Sequence, residues 1–182
     1  MKARSTSVAT STMVPHLSRI IQIINLGEQP GFQWEGQDIE PQHKIEFVFE
    51  ISDEKKKDGR PFFVSKEVNN TDSDKGTLYN WMQAAGTDCN NIQAALGVAV
   101  MMTPKLKKSG WPTVDVVAGL PPSMQDTVPS LVDEAIFFDY DCDEPDMEAY
   151  AKLQDSTKEK IMKAAEIETT RFYALLAEQD DI

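Results

Sequence analysis

The sequence is poor in the residues on which secreted proteins and many metalloproteins depend. Its 182 residues include two cysteines, too few for a disulfide framework or a thiolate zinc site. The longest apolar run, LGVAVMM at residues 96–102, is far shorter than the ~20 residues that cross a bilayer. The opening segment, MKARSTSVATSTMV, has no apolar core, so we expect no signal peptide and no membrane association. We therefore expect a protein of the reducing cytoplasm, which is the host cytoplasm if the protein is viral.

Patterns that carry catalysis or bind metals are equally scarce. With only His16 and His43, a Ser–His or Cys–His pair has few options, and no Walker A or dinucleotide-binding glycine motif occurs. The acidic run at residues 139–144 resembles a calcium loop, but Glu144 stands where such a loop needs glycine and Tyr150 where it needs glutamate. We therefore predict no catalytic residue, no metal and no cofactor, and we do not expect an enzyme.

Charge divides the chain into two unequal parts. The formal charge of −12 argues against a nucleic-acid partner for the chain as a whole. Residues 1–125, however, hold 13 Lys and Arg against 14 Asp and Glu, whereas residues 126–182 hold 5 against 16. We predict a flexible N-terminal arm over 1–15, a nearly neutral body over 16–122, and an acidic, helical C-terminal region with a tail over 123–182.

Hydrophobic periodicity predicts five strands and one helix in the body. The strands are expected at 17–26, 43–51, 61–68, 96–103 and 113–120, and the helix at 74–86. A helix between the third and fourth of five strands is the order of the OB-fold, so we predict a mainly β protein built as a five-stranded OB-fold barrel.

Details of the same pattern carry further expectations. Alternation in the second strand places Lys44, Glu46 and Glu50 on its outer, polar face. Residues 27–41 are expected to form a long loop. In the acidic region we predict a helix over 145–153 and a longer one capped by Ser156, with Glu159 in capping-box register.

Aromatic and basic residues fall where OB-folds bind single strands, in the loop after the first strand and the loop between the last two. Bases stack on aromatic rings and phosphates need cations. The candidates for single-stranded DNA binding are Arg19, Phe32, Trp34, Lys44, Arg60, Phe63, Lys66, Lys105, Lys107, Lys108 and Trp111.

The same residues have structural alternatives. The exposed-loop aromatics could instead plug the ends of a barrel, and lysine runs are common in solvated turns. Trp81 lies on a helical apolar stripe and is expected in the core. Phe62 and Phe63 are neighbours in a strand, so their side chains point to opposite faces.

Several segments together resemble the single-stranded DNA-binding proteins of a group of tailed bacteriophages. The resemblance covers about residues 17–166, and it departs at the helix, where Lys75 alone remains of a longer basic run. The matching segments are IIQIINLGEQ (20–29), Gly36, the strand 44–51, GRPFFVSKE (59–67), the helix 75–86, residues 96–101, Leu120 with Pro121, and the acidic segment 137–163.

The resemblance implies a protein that coats single-stranded DNA during phage replication or recombination, without reading its sequence. Its partners would be phage replication proteins such as a polymerase, a helicase-primase or a nuclease. The acidic region would recruit those partners or occupy the DNA groove, and its terminal residues Glu178, Asp180, Asp181 and Ile182 loosely match acidic tails of such proteins.

Two other classes stay open at this point. The chain could be an acidic module that mimics DNA and binds a basic host protein, in which case its net charge of −12 is the working feature. It could also be a virion or assembly protein, which would show large apolar patches. The oligomeric state is open as well.

Overall fold

A six-stranded, mostly antiparallel sheet dominates the part of the chain that the structure, a computed structural model, describes, which is residues 13–180. The predicted N-terminal arm lies almost wholly outside the described residues. The described strands are β1 (His16–Gln29), β2 (Phe32–Trp34), β3 (Gln37–Ile39), β4 (Gln42–Lys55), β5 (Pro61–Asn69), β6 (Ala99–Leu106), β7 (Pro112–Gly119) and β8 (Ile136–Phe138).

The sheet has the order β5-β4-β1-β6-β7, and β8 lies parallel to β1. One edge of β1 is shared, because residues 16–19 pair with β6 and residues 22–24 pair with β8. The edge strands β5 and β7 approach each other, and Lys66 Nζ donates to the Val114 carbonyl at 3.1 Å. The prediction of a mainly β protein with helices is confirmed, but the described sheet is not a closed barrel and has six strands.

The inner face of the sheet builds the first hydrophobic core, with the helix α1 (Thr77–Ala84) lying between β5 and β6 in the chain, as predicted. Trp81 is buried in this core, and its ring meets Phe47 and Phe49 edge-on at 5.4 and 5.3 Å. Edge-to-face contact is a favoured arrangement of aromatic rings. Phe62 packs against this core whereas Phe63 is exposed, which confirms their opposite orientation.

A second core joins the C-terminal region to the outer face of β1. The helices there are α2 (Pro122–Gln125), α3 (Met147–Lys152), α4 (Asp155–Ile161) and α5 (Arg171–Asp180). Phe138, Tyr150 and Phe172 form a cluster of rings against Ile24 and Leu26 of β1. The folded part of the acidic region is therefore packed on the sheet, and removing it would expose this core.

Close packing between the two parts also sets the backbone at Gly27. This glycine has a positive φ of 68°, a conformation that L side chains rarely adopt. A Cβ atom there would overlap the Tyr140 hydroxyl and the Ala164 side chain. Gly27 thus allows the C-terminal region to approach the end of β1.

Three local predictions were wrong. The segment 27–41 holds the β2–β3 hairpin instead of an open loop, since Glu35 and Gly36 both adopt positive φ and form the tight turn that joins the strands. The expected capping box is absent, because α4 begins at Asp155 after the cap residue Gln154. The third wrong prediction is the length of this helix, which ends at Ile161, and Glu166 beyond it has a positive φ of 57°.

The outer face of β4 carries Glu46 and Glu50 as predicted, but this part of the face does not contact solvent. Glu46 and Glu50 are 5% and 1% exposed, because the C-terminal region covers them.

Within residues 13–180 no helix has the length and apolar character needed to span a membrane.

The second core predicts unequal effects for two Phe→Ala substitutions. Phe138→Ala should lower the free energy of unfolding by about 3–5 kcal/mol, since it empties a fully buried site. Phe32→Ala removes an exposed ring of the same size and should change stability by less than about 0.5 kcal/mol. Urea unfolding of both variants measures the difference, and equal midpoints would contradict the packing of the C-terminal region.

Candidate nucleic-acid interface

Two hairpins place aromatic and basic side chains close together. The β2–β3 hairpin carries Phe32 and Trp34 two residues apart, on one side of a strand. The β6–β7 turn is closed by hydrogen bonds from the Lys107 amide to the Trp111 carbonyl, 2.8 Å, and from the Gly110 amide to the Lys107 carbonyl, 2.9 Å. This turn presents Lys107, Lys108 and Trp111 to solvent.

A contact between Lys108 and Trp34 joins the two hairpins. Lys108 Nζ lies 5.9 Å from the centroid of the Trp34 ring, within the range of a cation–π interaction. Both tryptophans, Trp34 and Trp111, are 55% exposed, and Phe32 is 54% exposed. The alternative in which these three rings plug a barrel is therefore wrong, and their faces are available to a ligand.

Cations from two strands of the sheet, Lys66 of β5 and Lys105 of β6, lie next to the β6–β7 turn. Lys66 lies between β5 and β7, where burial and the nearby charges of Lys105 and Lys107 lower its pKa below the ordinary value, against an opposing effect of Asp115. Lys105 Nζ is 3.4 Å from an Asp115 carboxylate oxygen, an exposed pair. Exposed pairs of this kind hold their partners weakly, so Lys105 can exchange Asp115 for a phosphate.

A shallow cavity of about 160 Å³ lies at the base of the β2–β3 hairpin. Phe32 forms part of its wall, and Lys44, Glu40 and Glu67 supply charged groups. Lys44 Nζ donates to Asn69 Oδ1 at 2.6 Å. The cavity thus lies at the base of the hairpin that carries Trp34 near its tip.

The structure separates three of the predicted residues from this cluster. The Arg19 guanidinium donates to the carbonyls of Gly97, Pro129 and Val128 at 2.8–2.9 Å, so it fastens the segment before β8 and is not free for phosphate. Arg60 pairs with Asp58 at 2.7 Å in the β4–β5 turn. Arg60 lies about 20 Å along the strand direction from Lys66. Phe63 is exposed on β5, where it is paired with Glu50 of β4.

Two residues that matter here carried no signal in the sequence. Lys160 of α4 pairs with Glu46 at 2.9 Å and with Glu67 at 2.7 Å. Burial lowers the pKa of Lys160, but its hydrogen bonds to these two carboxylates outweigh that effect and raise it above the ordinary value. Glu40 lines the cavity as an exposed residue between strands. Neither contact follows from a local pattern, since Lys160 lies more than 90 residues from Glu67.

The predicted tail residues lie at the C-terminal end of the sequence, far along the chain from both hairpins. Glu178 accepts from Arg171 at 3.3 Å within α5, and Asp180 ends that helix. Asp181 and Ile182 lie outside the described residues.

No protein-family model, curated protein or solved structure matches this chain.

The geometry predicts that Arg19 and Lys108 have different roles. Arg19→Ala would leave three backbone carbonyls without their charged donor and should lower the free energy of unfolding by about 2–3 kcal/mol. Lys108→Ala removes an exposed lysine and its contact with Trp34, and it should lower the free energy of unfolding by no more than about 1 kcal/mol. Thermal or urea unfolding measures both, and a neutral Arg19→Ala would return Arg19 to the group of free cations.

Proposed function

We propose that this protein binds single-stranded DNA without sequence readout, through the surface formed by the β2–β3 and β6–β7 hairpins. The observation that carries the proposal is the Lys108–Trp34 contact, which brings an exposed ring and an exposed cation from two distant hairpins to one place. Single-strand binding needs rings for the bases and cations for the phosphates. The proposed site residues are Phe32, Trp34, Lys44, Lys66, Lys105, Lys107, Lys108 and Trp111.

The strand order supports the finer proposal of an OB-fold. In that fold the first strand lies between the second and the fourth, the third and fifth approach each other, and a helix can connect the third to the fourth. Strands β1, β4, β5, β6 and β7 follow this arrangement, with α1 in the connection and Lys66 bonded to Val114 across the remaining gap. OB-folds bind oligonucleotides with the loops that correspond to the two hairpins.

The proposed role is that of the phage proteins which the chain resembles, namely coating exposed strands during replication or recombination. The net charge of −11 in residues 126–182 supports recruitment of basic replication proteins. Because the C-terminal region is packed on the sheet, only the residues near its end are proposed as a segment that DNA displaces.

Stacking predicts a loss of affinity when either tryptophan is removed. Trp34→Ala and Trp111→Ala should each weaken binding of oligo(dT) by about 1–3 kcal/mol, the value of one stacked base. Titration of labelled oligo(dT), with tryptophan fluorescence as a second readout, measures the effect. Because both side chains are exposed, the free energy of unfolding should fall by no more than about 1 kcal/mol in either variant, the value of the Lys108–Trp34 contact.

Duplex DNA serves as the comparison in the same titration. Equal affinity for duplex and single strands would contradict the proposal. Absence of binding to either, together with binding to a basic protein in competition with DNA, would favour the DNA-mimicking module instead.

Phosphate contacts predict a change in salt dependence. Loss of each lysine that contacts a phosphate should reduce the slope of log affinity against log salt by about 0.7. The variant with both Lys107→Ala and Lys108→Ala should therefore show a slope lower by about 1.4. Lys163→Ala, which removes an exposed lysine of the C-terminal region, is the matched control and should leave the slope unchanged.

A further inference from the structure

The cavity beside the β2–β3 hairpin has a shape and a chemistry that the stacking surface lacks. It is a shallow cavity of about 160 Å³ that opens to solvent, so a base can reach the residues that line it. The exposed Phe32 ring forms one wall, and Glu40, Gln42 and Glu67 supply polar groups. Since Phe32 and Trp34 point to the same side of β2, a strand stacked on Trp34 can reach Phe32 and the cavity beside it.

Lys44 and Glu67 of the cavity have polar partners, but carboxylate oxygens of the lining remain free to accept hydrogen bonds. Lys44 donates to Asn69, and Lys160 contacts Oε1 of Glu67 at 2.7 Å. Among the described residues, Glu40 has no hydrogen bond or ion pair, and Oε2 of Glu67 has no hydrogen bond. Ionised carboxylates only accept hydrogen bonds, so Glu40 and the free oxygen of Glu67 suit N–H donors, whereas the Lys44 ammonium in the same lining is held by Asn69.

Nucleobases differ in the donors that they offer to such acceptors. Cytosine presents an exocyclic amino group, to which Glu and Asp are suited partners, whereas thymine has a carbonyl oxygen at that position. A thymine carbonyl facing Glu40 or Glu67 would place acceptor against acceptor. The two pyrimidines are otherwise close in size and in stacking area.

We propose that one base of the bound strand leaves the stack of its neighbouring bases, enters this cavity and stacks on Phe32. The cavity takes a base with an exocyclic amino group in preference to thymine. The proposal rests on the proposed function, because it needs a single strand bound across the hairpins. It adds a modest base preference to binding that is otherwise independent of sequence. Glu40 and Glu67 are the residues that would set the preference.

Three short oligomers of equal length test the proposal: oligo(dT), oligo(dU), and oligo(dT) with dC at alternate positions. The wild-type protein should bind the dC-containing oligomer about fivefold more tightly than oligo(dT). Oligo(dU) lacks the thymine methyl group but keeps its carbonyl, so it should bind like oligo(dT). Tighter binding of oligo(dU) would assign the preference to the methyl group and overturn the proposal.

Variants of the carboxylates separate base recognition from general charge effects. Glu40→Ala should raise the affinity for all three oligomers, since it removes a negative charge, and should reduce the dC preference towards one. Glu35→Ala, at the tip of the same hairpin and outside the cavity, should raise affinity similarly but keep the preference. Glu67→Gln is a second test, with the urea midpoint checked because Glu67 also pairs with Lys160.

The outcomes distinguish this proposal from the proposed function. A wild-type protein that binds oligo(dT) and the dC-containing oligomer equally overturns the base preference and leaves single-strand binding intact. A preference that survives both Glu40→Ala and Glu67→Gln also overturns it, since the carboxylates would then have no part. Failure to bind any of the oligomers overturns the proposed function and the base preference together.

Discussion

The arrangement of the molecule depends on two buried carboxylates of β4. Glu46 accepts from Thr157 Oγ1 at 2.8 Å and from Lys160 Nζ at 2.9 Å, and Glu50 accepts from the amides of Val132 and Asp133 at 2.8 and 3.3 Å. A buried carboxylate without partners is strongly unfavourable. All four donors come from the C-terminal region, so that region must stay docked for the sheet to keep these two charges buried.

This docking decides which part of the acidic region can act as a displaceable tail. The Phe138 and Phe172 rings are fully buried against the sheet, and Arg19 fastens the preceding segment through three carbonyls. The acidic residues that precede α5 are therefore carried on a folded support. The same docking places Lys160 beside Glu67, where it compensates a negative charge at the margin of the proposed DNA surface.

Local pattern predicted much of the fold, and long-range contacts account for what it missed. Alternation in β4 correctly placed Phe47 and Phe49 inside, since a half-buried strand repeats every two residues. The same alternation correctly placed Glu46 on the opposite face, but it cannot reveal that a segment more than 100 residues later covers that face. Exposure of Trp34 and the position of Lys160 likewise follow from tertiary contacts, to which periodicity is blind.

The proposed binding of a strand at Trp34 depends on the strength of the Lys108 contact relative to that of base stacking. An exposed cation–π contact such as that of Lys108 contributes about 0.5–1 kcal/mol, whereas a base stacked on an aromatic ring contributes about 1–3 kcal/mol. In the proposed complex, a base would therefore displace the Lys108 ammonium from the Trp34 face with a net gain. Hydrogen bonds between the strands of the sheet fix the strand ends from which the two hairpins project. The exchange therefore needs movement of side chains only.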